Sequence, residues 1–167
     1  SHGRAGNGTT YKTLKECNFK GNLRIVCDNQ DKMLNDYKNE FGKESVIVFD
    51  KEEEAKTTDR CDNFQKLNAV VWARNASFKI ARNLGYRYFM MLDDDYGRFE
   101  YMFPNNTGWH CVIDDLDAIL DKYLQLLINT KQITSIAMAQ AGDFIGGKEN
   151  GLVSSPHMKR KAMNTFF

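Results

Sequence analysis

The sequence predicts an α/β fold with a largely parallel sheet. Short runs rich in β-branched residues recur along the chain, at LRIVC (23–27), SVIVF (45–49) and ITSIAMA (133–139). Segments with the period of a helix lie between them, the clearest from Asn68 to Leu84, where alanine and isoleucine recur at spacings of three and four. Because parallel strands need a crossover connection, this alternation is typical of a sheet flanked by helices.

The first half of the chain carries two predicted helices and one charged segment. A polar helix is predicted at about 31–40. The helix at 68–84 is followed by Gly85, which can supply a left-handed C-terminal cap. The charged segment KEEEAKTTDRCDNF (51–64) lacks a clear apolar period, so we predict a solvated loop there.

The second half begins with an apolar run and continues with a helix. YRYFMML (86–92) is predicted as a buried strand. A helix is predicted to begin at Asp114 or Asp115. Its apolar residues then recur on one side, at Leu116, Ile119, Leu120, Tyr123 and Leu127.

Size and charge exclude few classes of protein. The 167 residues fit one domain, and the net charge of +1 gives no general attraction to nucleic acid or membranes. No apolar run is long enough to span a bilayer, and we expect a cytoplasmic location. The four cysteines form no CxxC pair, so we expect reduced thiols. A Gly-rich loop opens the chain and MKRKAMNTFF resembles the start of a strand, so we expect truncation at both ends.

Three consecutive aspartates, Asp93, Asp94 and Asp95, follow the apolar run. Ligands of an open α/β sheet bind beyond the carboxyl ends of its strands. Adjacent carboxylates repel one another, and a divalent cation removes that repulsion. Magnesium and manganese take oxygen ligands and often complete their shell with substrate phosphates. The pattern predicts that Asp93 and Asp95 hold Mn²⁺ or Mg²⁺ beside a diphosphate; a solvated turn is the alternative.

The stretch YFMMLDDDY resembles the DxD motif of nucleotide-sugar glycosyltransferases with the GT-A fold. The resemblance implies a single glycosyltransferase-like domain over 1–167, with a Rossmann-like layered sheet. In that family the metal bridges the donor diphosphate and stabilises the departing nucleoside diphosphate as a Lewis acid. By this resemblance Asp93 and Asp95 are catalytic and metal-binding residues. Asp95 coordinates the ion, Asp93 also contacts ribose or sugar, and Asp94 contacts the donor.

Two further segments resemble nucleotide-binding parts of the same family. SHGRAGN resembles the loop after the family's first strand, so Ser1, Gly3 and Arg4 are assigned to the nucleotide. Glycine permits close backbone approach and arginine pairs with phosphate; a disordered tail is the alternative. CDNQD resembles the segment near the nucleobase, so Asp28 and Asn29 are assigned to the base or ribose. A helix N-cap is the alternative for these two residues.

The helix before the aspartates and a late Gly-rich segment complete the resemblance. ARNASFKIARNLGYRYFMMLDDDY is similar to the family's helix-to-DxD passage, in which Arg74, Asn75 and Lys79 would face the donor. A solvated helix face is the alternative. AQAGDFIGG (139–147) resembles the segment near donor sugar and acceptor, and it assigns Asp143 to catalysis. A plain Gly-rich turn is the alternative.

The sequence of the segment VWARNASFKIARNLGYRYFMMLDDDY most resembles that of transferases found beside DNA-base-modifying enzymes in phages. That resemblance implies a hexosyl- or pentosyltransferase that moves a sugar from a UDP-sugar to a hydroxymethylated pyrimidine in DNA, with no membrane partner. The late Glu-Asp pair of many such enzymes does not occur after residue 150. Two alternatives stay open: another magnesium-dependent phosphoryl or nucleotidyl transferase, and a catalytically inactive nucleotide-binding or assembly domain.

Overall fold

The computed structural model describes residues 3–58, 71–102, 110–138 and the backbone of 165–166. The chain divides into two compact units, Ser1–Gly8 with Gly21–Phe89, and Thr9–Lys20 with Met90–Phe167. The helices are α1 (Thr9–Glu16), α2 (Leu34–Phe41), α3 (Lys51–Thr57), α4 (Val71–Asn83) and α5 (Leu116–Asn129). The strands are β1 (Ile25–Asp28), β2 (Val46–Phe49), β3 (Glu100–Met102), β4 (His110–Val112), β5 (Ile136–Ala137) and β6 (Thr165–Phe166). The mixture confirms the α/β class.

The first unit is built on a parallel pair of strands joined by a helix. β1 and β2 run parallel, with Ile25 opposite Val46 and Asp28 opposite Phe49. The chain between them forms α2, followed by a short 3-10 turn. Cys27, Tyr37 and Val46 form the core of this arrangement together with Ala5. The two predicted strands and the connecting helix are confirmed, and β1 ends at the predicted candidate site.

The charged segment after β2 is a helix, so the predicted loop is wrong for residues 51–57. Asp50 caps α3, since its Oδ1 accepts a hydrogen bond of 2.9 Å from the amide of Glu53. The buried face of α3 consists of Lys51, Glu54 and Ala55, at helical spacing. Two of these three residues are charged: Lys51 pairs with Asp28, and Glu54 pairs with Lys79. An apolar period was therefore absent from the sequence although the helix has an inner face.

The helix predicted at 68–84 is present as α4, and residues 68–70 lie outside the described residues. It packs against β1 and β2, and its buried residues are Trp72, Ala76 and Ala81. Gly85 has φ 76°. Its amide donates to the carbonyl of Arg82, and the amide of Tyr86 donates to that of Ala81. This is a Schellman motif, so the predicted glycine cap is confirmed.

The run 86–92 was predicted as a buried strand, and that prediction is wrong. The structure has only an isolated bridge at Met90 there. Phe89 packs through its ring instead: it lies edge-on against Phe78 of α4, with ring centres 5.3 Å apart. The Tyr86 hydroxyl accepts a hydrogen bond of 3.3 Å from the Arg24 guanidinium. A local apolar run shows that a segment is partly buried, but not that it pairs with another strand.

The second unit has two antiparallel strand pairs, β3 with β4 and β5 with β6. Among the described residues, parallel pairing is therefore confirmed only for β1 and β2, and a mainly parallel sheet is not seen. The predicted strand 133–139 is reduced to β5. The helix predicted from Asp114 or Asp115 is confirmed as α5, because the Asp115 side chain caps it by accepting from the amide of Ala118. Within the described ranges no helix is long and apolar enough to cross a membrane.

Candidate functional site

The three aspartates lie in the second unit, on a turn that follows the apolar run. Asp93 and Asp94 are half-buried and Asp95 is exposed. The backbone of this turn is bonded to the first turn of α1. Thr10 Oγ1 donates to the Asp93 carbonyl at 2.6 Å, and the Thr10 amide donates to the Asp94 carbonyl at 3.2 Å. The segment therefore has a fixed backbone around an exposed carboxylate.

The same helix holds the residue that follows the aspartates. Thr10 Oγ1 also accepts from the Tyr96 amide at 2.9 Å, and Thr13 Oγ1 donates to the Tyr96 carbonyl at 2.8 Å. The Tyr96 hydroxyl lies 3.4 Å from Asp93 Oδ2, which is long for a hydrogen bond between oxygens. Phe99 is buried, and its carbonyl accepts from the amide of Ile113. The aspartate segment is thus anchored on both sides.

The Gly-rich segment lies in the first unit, and side chains that follow β1 hold its backbone. Gly3 and Gly6 have positive φ values of 65° and 76°. The Gly3 amide donates to Asp31 Oδ2 at 2.9 Å, and the Arg4 amide donates to the Tyr37 hydroxyl at 2.8 Å. Arg4 itself is exposed. The structure therefore brings Gly3 and Arg4 close to the end of β1, and a nucleotide-binding role for them stays a prediction.

The predicted pair Asp28 and Asn29 at the end of β1 separates into a buried and an exposed residue. Asp28 is 4% exposed, and its Oδ1 lies 3.0 Å from Lys51 Nζ. The same oxygen accepts from the amide of Gln30 at 3.1 Å. Asn29 is exposed, and its side-chain oxygen accepts from the Lys51 amide at 3.2 Å. Asp28 thus joins β1 to α3, and Asn29 is the more accessible of the two.

The three predicted residues of α4 differ in their surroundings. Arg74 and Asn75 are half-buried, and the Asn75 amide group donates to Thr58 Oγ1 at 3.1 Å. Lys79 is exposed, but its ammonium lies 2.8 Å from Glu54 Oε2 of α3. Asn75 and Lys79 therefore make contacts that join α4 to the segment of α3. A role for them at a donor stays a prediction.

Burial also changes the acidity of two thiols. It raises the pKa of Cys27 from 9.0 to about 11, and Cys27 is fully buried beside Asp28. Burial likewise raises the pKa of Cys17, which follows α1. Both thiols stay protonated at neutral pH. Like Cys111, they are free cysteines.

Sequence reasoning missed the residues that support the candidate site residues. Asp31, Lys51, Thr10 and Thr13 are buried polar residues whose partners lie far away in the sequence. A spacing rule cannot find such contacts, since the partner of Thr10 is 83 residues away. Ser1 and Asp143 lie outside the described residues. Within the described ranges, no group of three or more His, Cys, Asp or Glu side chains is placed to hold a metal ion.

An open groove in the second unit is lined mainly by carboxylates and by Asn18 and Lys20. It contains none of the predicted site residues. Asn18 donates to the Asp114 carbonyl at 2.9 Å, and the Lys20 amide donates to Asp117 Oδ2 at 3.0 Å. These bonds join the end of α1 to the start of α5. The groove is therefore accounted for by the packing of two helix ends.

The comparisons with known proteins identify a family. No curated protein and no solved structure matches the chain. A family model described as TET-associated glycosyltransferase matches residues 1–167. Because the match spans the whole chain, the protein belongs to the family of TET-associated glycosyltransferases.

Proposed function

We propose that this glycosyltransferase moves a sugar from a UDP-sugar to a hydroxymethylated pyrimidine in DNA, with the help of Mn²⁺ or Mg²⁺. Family membership supports glycosyl transfer. The proposed metal dependence is supported by the aspartate segment. In this segment the Asp95 side chain is exposed, and the backbone on either side of it is anchored by hydrogen bonds. The acceptor rests on the resemblance of the helix-to-aspartate passage to DNA-modifying transferases.

The oxygen ligands of the aspartate segment fit a hard divalent cation. Magnesium is usually bound by one or two carboxylates together with substrate phosphates and water, rather than by a cage of protein ligands. Asp93 and Asp95 supply two carboxylates two positions apart. A group of three protein ligands is not required for this mode of binding, so the donor diphosphate would complete the shell.

The residues of this chain then have distinct roles in the transfer. The bound ion would neutralise the charge of the departing diphosphate. Asp95 and Asp93 would hold the ion, and Arg4 would pair with phosphate through a guanidinium that can donate two parallel hydrogen bonds. The sugar leaves the diphosphate oxygen and joins the acceptor oxygen, whose proton passes to a base. The resemblance assigns Asp143 to catalysis, in a segment near the acceptor.

At the nucleotide, the geometry favours Asn29 over Asp28. The Asp28 carboxylate is buried in an ion pair with Lys51, whereas Asn29 is exposed and its side-chain oxygen accepts one bond, from the Lys51 amide. Asn29 can donate and accept hydrogen bonds, which suits a pyrimidine edge. We therefore propose that Asp28 positions the end of β1, and that Asn29 contacts the base.

The nucleotide and the metal are tested by thermal stabilisation. UDP with Mn²⁺ is expected to raise the melting temperature of the wild type, while ATP with Mg²⁺ has little effect. The Asp95→Asn variant is expected to lose the Mn²⁺-dependent part of this rise in melting temperature, because the substitution removes one ligand charge from an exposed side chain. Asp121→Asn, an equal change of charge at an exposed position of α5, is the control.

Each alternative has its own result in this assay. Stabilisation by ATP but not by UDP would support a phosphoryl or nucleotidyl transferase. A melting temperature that no nucleotide or metal changes would support an inactive domain. Unchanged UDP affinity in Asp95→Asn, measured by calorimetry, would refute the metal assignment. The acceptor is tested by mass spectrometry of hydroxymethylated DNA after incubation with a panel of UDP-sugars, with unmodified DNA as the control.

A further inference from the structure

Helix α1 presents two threonines on its buried face, next to the aspartate segment. Thr10 and Thr13 are 7% and 3% exposed, and Leu14 is the third buried residue of the helix. Buried hydroxyl groups need hydrogen-bond partners, and an inner helix face is usually apolar. Two hydroxyls in these positions therefore require an explanation from the residues that they contact.

The bonds of Thr10 use the single donor of its hydroxyl, one acceptor position of the same oxygen, and its amide. Oγ1 donates to the Asp93 carbonyl and accepts from the Tyr96 amide, at 2.6 and 2.9 Å. The Thr10 amide lies in the first turn of α1, where amides have no partner inside the helix, and it donates to the Asp94 carbonyl. One residue thus fixes the backbone on both sides of Asp95.

Thr13 extends the same contact by one helical turn. Its Oγ1 has one proton to donate, and the Tyr96 carbonyl at 2.8 Å is a nearer acceptor than the Thr9 carbonyl at 3.2 Å. Tyr96 therefore has its amide bonded to Thr10 and its carbonyl bonded to Thr13. All of these residues belong to the second unit. The contacts to Asp94 and Tyr96 are made to backbone atoms and leave the Asp95 carboxylate exposed.

We infer that Thr10 and Thr13 are positioning residues for the metal site at Asp93–Asp95. The inference rests on the proposed function. A two-carboxylate site has few protein ligands, so its affinity depends on how well the backbone holds those ligands before the ion arrives. Loss of a supporting hydrogen bond around a metal ligand typically lowers metal affinity about 10–100-fold.

The test compares Thr10→Val, which keeps the branched shape but loses the hydroxyl, with Thr10→Ser, which keeps the hydroxyl. Thr9→Val, an exposed change in the same helix, is the matched control. Two quantities are measured on the full chain. They are the hydrogen-exchange rate of the Tyr96 amide without metal, and the Mn²⁺ affinity in the presence of UDP, by electron paramagnetic resonance of free Mn²⁺.

In Thr10→Val we expect faster hydrogen exchange of the Tyr96 amide, and an Mn²⁺ affinity lowered about 10-fold or more. Thr10→Ser and Thr9→Val are expected to stay close to the wild type in both measurements. A purely structural role of Thr10 would lower the melting temperature without changing the Mn²⁺ affinity of the folded protein, and that result overturns the inference. If Thr10→Val does not fold, Thr13→Val gives the same test through the carbonyl of Tyr96.

The outcomes separate this inference from the proposed function. If the wild type and Thr10→Val bind Mn²⁺ with UDP equally well, and Asp95→Asn does not, the metal site stands and the positioning role is refuted. If the wild type itself binds no Mn²⁺, the proposed function fails and the inference falls with it. Unchanged Tyr96 exchange in Thr10→Val would show that the hydroxyl contact is absent in solution, and that also refutes the inference.

Discussion

Replacing Lys51 with methionine is expected to destabilise the first unit strongly. The Lys51 and Asp28 side chains are 9% and 5% exposed, and Nζ and Oδ1 are 3.0 Å apart. At this distance, Coulomb's law with an effective dielectric constant of about 20 gives an attraction of roughly 5 kcal/mol. The desolvation of both charges removes part of that gain. Removal of one partner leaves a buried charge without compensation and costs about 3–5 kcal/mol.

The assay is urea unfolding followed by the fluorescence of Trp72, which is buried in the same unit. A Trp109→Phe background makes Trp72 the single tryptophan of the chain. Lys56→Met is the matched control, because Lys56 lies on the same helix and its pair with Glu53 is exposed, with both side chains 67% accessible. Exposed pairs contribute little to stability, so we expect little change in the control.

A double variant separates the loss of the pair from the loss of lysine packing. Asp28→Asn combined with Lys51→Met buries no charge, and the asparagine oxygen can still accept from the amide of Gln30. This double variant is expected to be more stable than Lys51→Met alone. The reasoning is refuted if Lys51→Met unfolds at the same urea concentration as the Lys56→Met control, because a buried, paired lysine cannot give that result.

Two further predictions concern buried groups of the same unit. Burial raises the pKa of Cys27 to about 11, so the folded state keeps the thiol proton after the unfolded chain has lost it near pH 9.0. Stability should then fall by about 2–3 kcal/mol as the pH rises from 9 to 11, and urea titrations of Cys27→Ala should show a smaller fall. Lys79→Met should lower the free energy of unfolding by about 1 kcal/mol, because Glu54 loses a cation that is 57% exposed and partly screened. An unchanged urea midpoint would contradict that contact.

Elements with local signals were predicted correctly. α5 combines an aspartate cap with a regular apolar period, and the end of α4 is marked by a glycine at positive φ. Both signals act within a few residues, so the sequence alone contains them. The segment of α3 was missed because its inner face carries Lys51 and Glu54, whose burial depends on partners in other elements. The run 86–92 was wrongly predicted as a strand, because ring packing and strand pairing both require apolar residues.

The candidate site divides in the same way. The roles of Asp93–Asp95 at a metal and of the Gly-rich segment at a nucleotide are predictions that rest on local patterns, namely like charges in a row and glycines beside an arginine. The support of these segments could not be predicted, because Asp31 contacts Gly3 across 28 positions and Thr10 contacts Asp93 across 83. Asp28 shows the consequence. Its sequence neighbours are typical of a ligand-binding turn, yet the structure places it in a buried ion pair.

The way in which four acidic residues are held distinguishes a supporting role from the proposed ligand-binding role. Asp28 and Glu54 use carboxylate oxygens to bind lysines of the first unit, and Asp31 uses both of its oxygens to accept from backbone amides. A carboxylate engaged in this way must break those bonds before it can bind a cation. Asp95 differs, because the residues on either side of it are fixed through backbone atoms while its side chain is exposed. An ion that binds there displaces mainly water, which is why we place the first metal ligand at Asp95.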